Sequence, residues 1–550
     1  MAGLGGWRCV LLLLTAGCAQ KAHLHWQGGD VFGVFEAEGR PPSRIDCRGT
    51  TAERFRCFAA KVNDRVEDRS YAFAVMGADG ALLQTTRTEP GQAAPTTPDT
   101  LFPLLSVTKM FTAATAVSLA QEGILDLERP IASYLPELND KELGRVTLHQ
   151  LMTHTAGLVD DPRRRVCDGG GKLSDATTRA HLGAPPGAVF LYSNLGYALV
   201  GLVIQRATSK PFEEVVRERV LLPMGMPTAT FHFGAVQVQG HPPNAGIQER
   251  CGLAAPAGGL NASVRDVARW ARAMSEPATH PLGQPLVAAL TAPHVDQGVR
   301  PNDYYGYGVG MTQRGSVWVY HHSGGAPDFS AFIAWVPAHR FGAAAMLNAA
   351  HAAGATPAAV VLRGLSALLE LPEDWRPEAE TSRRRPLSAY VGTYVDRRSW
   401  LGRVRVRLDG PDRLAFDYLD GPPALLPPTF AFRFVPGQEH AQYVVTAVGI
   451  GERVASTSPA RSTQDASGAA ATQPERAQDA PASRPGPGEL CTPGSDLAAG
   501  SPGNCQQGLL CCTNFRGGCG GAQPPPGVER EPCTTSYRCA AVPQCWGPPP

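Results

Sequence analysis

A serine and a lysine stand three residues apart in the stretch PDTLFPLLSVTKMFTAATAVSLAQEG, residues 98–123. Residues three apart share one face of a helix, so Ser106 and Lys109 would meet there. Lysine is seldom buried without a partner, and burial lowers its pKa until it can serve as a base. Such a lysine could accept the proton that a serine hydroxyl loses on attacking a carbonyl. The alternative is a helix-capping serine followed by a lysine that reaches solvent.

A second segment, FLYSNLGYALVG, contains Tyr192 and Asn194. A tyrosine beside a cationic lysine can relay its proton to a leaving group. An asparagine can hold either a substrate carbonyl or the lysine ammonium. The alternative is a tyrosine at a strand end and an asparagine in a turn, which many loops contain.

A third segment, VWVYHHSGGAPDFSAF, places His322, Gly324 and Gly325 at the end of a predicted strand. Glycines there let a substrate approach the backbone closely. The backbone N–H groups of Gly325 and Ser106 would then face each other as an oxyanion site. The alternative is a hairpin turn before the next strand.

In this order, the motifs S-x-x-K, Y-x-N and H-x-G resemble those of the serine β-lactamase and penicillin-binding-protein superfamily. VTLHQLMTHTAGL and PAGGLNASVRDVARW also resemble segments of its class C β-lactamase-related branch, which includes D-alanyl-D-alanine carboxypeptidases and esterases. The resemblance covers about residues 70–370. It implies a serine hydrolase that forms an acyl-enzyme with a peptide, amide or ester. The expected substrate is a small molecule or peptidoglycan-like, and no metal or cofactor is expected.

The resemblance implies roles for the residues of the first two motifs. Ser106 matches the acylated nucleophile, and Lys109 matches the residue that eases its deprotonation. Tyr192 matches the acid/base residue, and Asn194 matches the residue that orients the substrate carbonyl. Which of Lys109 and Tyr192 takes the first proton is left open by the sequence.

The third motif is matched by His322 and Gly324, with Gly325 as the oxyanion partner of the nucleophile. β-Lactamases usually carry lysine where this chain has His322, and histidine is mostly neutral near pH 7. A dedicated β-lactamase is therefore less favoured than an esterase or peptidase. His154, in the segment LMTHTAGL, is assigned to packing, and strand alternation points His321 away from His322.

The N-terminus, MAGLGGWRCVLLLLTAGCAQ, reads as a signal segment over residues 1–22 that is too short to span a bilayer. LTAGC resembles a bacterial lipobox, with Cys18 as the lipidated residue. The alternative is an ordinary secretory signal. Both predict an exported protein, either a cell-envelope lipoprotein or a secreted one. A net charge of +1 gives no reason to expect nucleic acid.

A chain of 550 residues predicts several domains. We expect an α+β catalytic domain over 26–372, with an antiparallel sheet flanked by helices and an all-helical subdomain. A small all-β domain is predicted over 386–455, then a disordered linker over 456–490. Residues 491–550 hold eight cysteines and predict a disulfide-rich module without an identified partner, with a zinc site as the alternative.

Fourteen cysteines suit an oxidising compartment. Cys47 could pair with Cys57, and Cys167 with Cys251, although sequence alone does not fix either pair. A different class of function is also open. In it, a catalytically idle penicillin-binding-like fold acts as an envelope binding or scaffold protein, and the cysteine-rich tail is the working part.

Overall fold

The computed structural model describes residues 31–32, most of 47–454, and three short strands beyond them. The stretches left out within 47–454 are 64–65, 67, 161–179, 237, 244–251, 298–301, 315, 351–355, 370, 372–385, 397–401, 409, 412–413, 421–429, 434–438 and 447–448. The predicted signal segment with Cys18, the Cys167–Cys251 pair, nearly all of the linker and most of the tail lie outside the described residues. The chain divides into two units, residues 1–456 and 457–550.

The α-helices of the described residues lie in two groups, one on each face of the large sheet described below. In chain order they are α1 Thr51–Asn63, α2 Thr108–Gln121, α3 Leu148–Met152, α4 Asn194–Thr208, α5 Phe212–Val216, α6 Ala255–Gly258, α7 Val264–Met274, α8 Gln284–Leu290 and α9 Pro357–Leu369. Nearly all of α2 is buried, as expected of a helix that is apolar on every side. It ends before Gly123, whose φ of +74° is the left-handed conformation that commonly follows the end of a helix. Among the described helices, none has the length and apolar character needed to cross a membrane.

The strands of the first unit form two large sheets and one small pair. In chain order they are β1 Val31–Phe32, β2 Tyr71–Met76, β3 Leu82–Arg87, β4 Leu101–Pro103, β5 Asn261–Ser263, β6 Val295–Asp296, β7 Asp303–Tyr305, β8 Gly310–Arg314, β9 Val317–Gly325, β10 Ser330–Val336, β11 Phe341–Leu347, β12 Gly392–Val395, β13 Arg403–Leu408, β14 Leu414–Tyr418, β15 Phe430–Arg433, β16 Tyr443–Thr446 and β17 Gly449–Val454. The larger sheet, within the domain predicted to be catalytic, is antiparallel, in the order β3-β2-β11-β10-β9-β8-β7-β6.

This sheet is buried on both faces, and side chains along its central strands alternate between two cores. Along β2, Ala72 and Ala74 face the core that contains α2 and α7. Phe73 and its neighbours face the core that contains α1 and α9. The expected α+β architecture, with helices flanking an antiparallel sheet and an inserted helical subdomain, is confirmed. Cys47 and Cys57 form a disulfide, with Cα atoms 5.8 Å apart, that ties α1 to the preceding chain.

The second sheet is the small β-domain, in the order β1-β15-β16-β17-β12-β13-β14. In β13, Val404 and Val406 point into its core and the intervening arginines point outward, as the alternation of RVRVRL predicts. Residues 31–32, which lie inside the range predicted for the catalytic domain, pair with β15 of this sheet.

The β-domain also packs on the catalytic domain. Tyr443 and Ile450 form one apolar cluster with Val159, Ala184 and Val189. Those three residues belong to two loops that lead into the site described below.

The second unit contains a three-stranded antiparallel sheet made of β18 Leu490–Cys491, β19 Leu509–Cys511 and β20 Tyr537–Ala541. Its order is β18-β20-β19, and Cys511 lies opposite Cys539 in the register. The disulfide or zinc chemistry predicted for this tail stays a prediction.

Candidate active site

Lys109 lies in the first turn of α2 and is fully buried. Its Nζ donates to Ser106 Oγ at 3.2 Å, to Asn194 Oδ1 at 2.8 Å and to the Ala257 carbonyl at 2.7 Å. An ammonium has three protons, so these three acceptors use every donor it has. The alternative in which this lysine reaches solvent is therefore wrong.

Burial lowers the pKa of Lys109 to about 7, and the negative charge of Asp160 works in the opposite direction. The Nζ also lies 4.9 Å from the ring centre of Tyr192 and 5.5 Å from that of Tyr197. Near neutral pH a substantial fraction of Lys109 is thus unprotonated, with a lone pair on the nitrogen beside Ser106 Oγ. This lone pair can accept the serine proton.

Ser106 precedes the helix that carries Lys109 and is not part of it. It lies in a 3₁₀ turn, Leu105–Val107, and α2 begins at Thr108. The preceding residue, Leu105, has a φ of +52°, a left-handed conformation that is costly for a branched side chain. Leu104 N, just before this turn, donates a hydrogen bond of 2.8 Å to the carbonyl of Leu260, just before β5. Ser106 is thus presented on a sharp turn next to Lys109.

Tyr192 and Asn194 reach the same point from the start of α4. Burial raises the pKa of Tyr192, and its hydrogen bond with the Ser106 side chain acts in the opposite direction. Tyr192 keeps 37% of its surface exposed, so it borders the open side of the site. Asn194 contacts Lys109 through its amide oxygen and thereby holds the lysine nitrogen in place.

His154 packs among aromatic rings, as expected, with its ring centre 4.2 Å from that of Tyr192. It also makes directed bonds that sequence reasoning missed. Its Nδ1 accepts from Ser193 N at 3.0 Å, and its carbonyl accepts from Leu191 N at 2.7 Å. These two bonds fix the backbone on either side of Tyr192. His154 has a φ of +58°, so this loop turns sharply where it meets the motif.

Asp160 is a second residue that sequence reasoning missed. Its carboxylate accepts from Ser193 Oγ at 2.5 Å, from Asn194 N at 2.6 Å and from Leu195 N at 3.3 Å. The only signal in the sequence was a pair of aspartates after TAGLV. Nothing in the sequence indicated the Ala257 carbonyl, because a backbone acceptor carries no residue-type signature.

His322 is neutral, and both of its ring nitrogens are engaged. Nδ1 lies 2.6 Å from the Ser323 carbonyl, which can only accept, so Nδ1 carries the proton. Nε2 then accepts from Tyr305 Oη at 2.9 Å. Burial, assisted by the charge of Lys109, lowers the pKa of His322 to about 3. His321 points to the other face of β9, as the alternation of side chains along a strand predicts. There it hydrogen-bonds to Thr312 and stacks on Phe332.

Gly324 and Gly325 bring the end of β9 to the nucleophile turn. A Cβ on Gly324 would stand 2.2 Å from the Leu104 carbonyl oxygen, so only glycine allows this approach. A Cβ on Gly325 would meet nothing within 4 Å, which leaves that side open for a ligand. The role of Gly325 N–H as an oxyanion donor stays a prediction.

Every predicted residue of the three motifs therefore lies in one place, at the junction of α2, α4 and β9. Cys18, the predicted lipidation site, lies outside the described residues. Within the described part of the chain, no three side chains of His, Cys, Asp or Glu group together as a metal site.

Comparisons with known proteins place this geometry in a family. Protein flp of Staphylococcus aureus (strain MW2) is 26% identical over 269 residues, 46% of this chain and 53% of that protein. The chain thus spans about half the length of this relative. Penicillin-binding protein 4 of Amycolatopsis lactamdurans is 27% identical over 335 residues, 55% of this chain and 87% of that protein. A crystal structure of SurE with D-Leu is 23% identical, covers 74% of this chain and 99% of its own, and has a TM-score of 0.56, which shows a shared fold.

Residues 58–366, more than half of the chain, match the family model described as Beta-lactamase. The chain therefore belongs to the β-lactamase family, within the β-lactamase/transpeptidase-like superfamily whose members are serine hydrolases.

Proposed function

We propose that this protein is an exported serine hydrolase that forms an acyl-enzyme on Ser106. The proposal rests on one observation, the hydrogen bond of 3.2 Å between the buried Lys109 Nζ and Ser106 Oγ. A lysine whose pKa lies at about 7 can act as a base at neutral pH. The surrounding bonds hold that nitrogen at the serine oxygen before any substrate arrives.

In the first step, Ser106 Oγ attacks the substrate carbonyl carbon while its proton passes to the neutral Lys109 Nζ. The carbonyl π bond opens, and negative charge develops on the carbonyl oxygen. The backbone N–H groups of Ser106 and Gly325 would stabilise that charge. Lys109 suits the role of first base better than Tyr192, because burial raises the pKa of that phenol.

In the second step, the tetrahedral intermediate collapses and the bond to the leaving group breaks. Tyr192 Oη donates its proton to the departing alcohol or amine and regains one from the Lys109 ammonium. Water then attacks the acyl-enzyme through the same groups in reverse and releases a carboxylic acid.

The state of His322 supports an ester or amide without a carboxylate as the main substrate, over a β-lactam or a C-terminal peptide. Its ring is neutral, and both nitrogens are bonded within the protein. It therefore supplies no cation for a substrate carboxylate, which β-lactams and C-terminal peptides carry. We rank an esterase first and a carboxypeptidase-like enzyme second, with a small-molecule or peptidoglycan-like substrate. Some β-lactam acylation or hydrolysis is compatible with this site.

Export and a lipid anchor at Cys18 are also part of the proposal. The disulfide between Cys47 and Cys57 supports an oxidising compartment. Metabolic labelling with an alkyne fatty acid should mark the wild-type protein but not a Cys18→Ala variant. If neither protein is labelled and the mature N-terminus is a residue other than Cys18, the protein is an ordinary secreted protein and not a lipoprotein.

The acyl-enzyme is tested by intact-mass time courses with a simple penicillin and with 4-nitrophenyl acetate. We expect an adduct or turnover in the wild type, neither in Ser106→Ala, and wild-type behaviour in Ser118→Ala, a control farther along α2. Turnover of the ester without a penicillin adduct would select the esterase. Turnover that survives in Ser106→Ala would refute the proposed nucleophile.

A further inference from the structure

We propose that Asp160 is a positioning residue that sets both the placement of the Tyr192–Asn194 motif and the protonation of Lys109. The part that concerns catalysis rests on the function proposed above. The hydrogen bonds of Asp160 go to Ser193, Asn194 and Leu195, so it acts on the nucleophile and the lysine through these neighbours.

The carboxylate of Asp160 collects donors from three consecutive residues at the start of α4. Oδ2 accepts from Asn194 N, and Oδ1 accepts from Ser193 Oγ and Leu195 N. Ser193 Oγ in turn accepts from Gly196 N at 3.0 Å. The first N–H groups of the helix are therefore satisfied by one side-chain pair, and the helix dipole favours the negative charge.

This arrangement fixes the direction of Asn194. Its backbone N–H is held by Asp160 from one side, and its amide oxygen accepts from Lys109 at 2.8 Å on the other. Tyr192 lies two residues earlier, on backbone that His154 bonds on both sides. One loop, residues 154–160, thus holds the whole motif at both ends.

The loop is itself rigidly placed, so the position of Asp160 is imposed on the helix rather than set by it. Gly157 O accepts from Gly183 N at 2.8 Å, and Val159 N donates to the His181 carbonyl at 3.2 Å. Gly157 has a φ of +71°, and a Cβ there would lie 2.1 Å from the Ala184 carbonyl oxygen. Val159 is buried against the β-domain.

Charge adds a second effect. Burial raises the pKa of Asp160, while its three donors and the Lys109 charge oppose that rise. The negative carboxylate favours the ammonium form of Lys109 and so limits how far burial lowers the pKa of that lysine. The titratable groups that surround the lysine are Asp160, His154, Tyr192, Tyr197 and His322.

The test uses Asp160→Asn, which keeps the size of the side chain but removes its charge and one acceptor. The control is Asp266→Asn, another buried carboxylate at a helix start, whose partners are Thr228 and Arg269. Both variants should lose some thermal stability. In Asp160→Asn, kcat should also fall by about 10²-fold, since a misplacement near 1 Å has that effect on a catalytic group. The acid limb of the kcat/KM profile should move to lower pH.

A second readout does not depend on activity. The chain has six lysines, so NMR of ¹³Cε-labelled lysine can follow the Lys109 titration directly. We expect its midpoint to fall in Asp160→Asn and to stay in place in Asp266→Asn. An unmoved midpoint, with kcat within threefold of wild type, would overturn the inference. A wild type that titrates as expected and hydrolyses nothing would instead refute the proposed function and leave the positioning role supported.

Discussion

Replacing Gly324 by alanine should remove most of the activity while the protein still folds. In Gly324→Ala, the new Cβ would start 2.2 Å from the Leu104 carbonyl oxygen and 3.0 Å from Leu105 Cβ. Real Cβ atoms essentially never lie closer than 3.0 Å to such a neighbour, so the end of β9 and the nucleophile turn must separate by roughly 0.8 Å. The backbone fixes the positions of the new Cβ, the Leu104 carbonyl oxygen and Leu105 Cβ, so no side-chain rotation relieves these contacts.

That displacement falls between Ser106 and Gly325, the two residues expected to hold the developing oxyanion. A misplacement near 1 Å costs about 10²-fold in rate. Overpacking of this kind destabilises by about 1–3 kcal/mol, which the large catalytic domain should tolerate. We therefore expect a folded protein that has lost about 99% of its kcat/KM.

The assay is kcat/KM with 4-nitrophenyl acetate beside the thermal unfolding temperature. Gly252→Ala is the matched control, because a Cβ there meets nothing within 4 Å. It should behave as wild type in both measurements. If Gly324→Ala keeps more than a third of wild-type kcat/KM with an unchanged melting temperature, the close approach does not matter as argued.

Further predictions concern protonation, a buried bond and the disulfide. The kcat/KM of the wild type should rise with pH through about 7, because the base is unprotonated Lys109, and should show no limb from His322, whose pKa lies at about 3; a limb at pH 7 that persists in Lys109→Met would contradict this. Tyr305→Phe should lower stability by about 1–3 kcal/mol in denaturant titrations, since it leaves a buried acceptor unpaired; an unchanged midpoint would mean that the bond contributes nothing. Replacing both Cys47 and Cys57 by serine should lower the free energy of unfolding by roughly 2.5 kcal/mol, as expected for a loop of this length. A reducing agent should then lower the melting temperature of the wild-type first unit but not that of the double variant.

Local patterns in the sequence predicted the elements that carry the site. The three-residue spacing of Ser106 and Lys109 and the period of two along β9 each depend on a few neighbouring residues. Such signals survive tertiary packing, because the periods of helices and strands are fixed by the backbone. The opposite directions of His321 and His322 follow from the same rule.

What the sequence could not supply are contacts between distant backbones. The Ala257 carbonyl reaches Lys109 across 148 residues, and a carbonyl looks alike in every residue type. Asp160 reads as an ordinary loop aspartate until the fold brings it to the start of α4. The left-handed Leu105 is likewise invisible, because nothing about leucine suggests a positive φ. These features arise only when distant parts of the chain fold together, so local composition and spacing do not predict them.

Tyr443 and Ile450 of the β-domain pack on Val159 and Val189, so residues of two domains position the candidate active site. Val159 adjoins Asp160, and Val189 lies three residues before Tyr192, so the β-domain acts as an external brace for both loops. Under the proposed function, substitutions on this face of the β-domain would alter turnover without changing any residue that contacts the substrate. They would do so by changing how firmly the two loops beside the site are held.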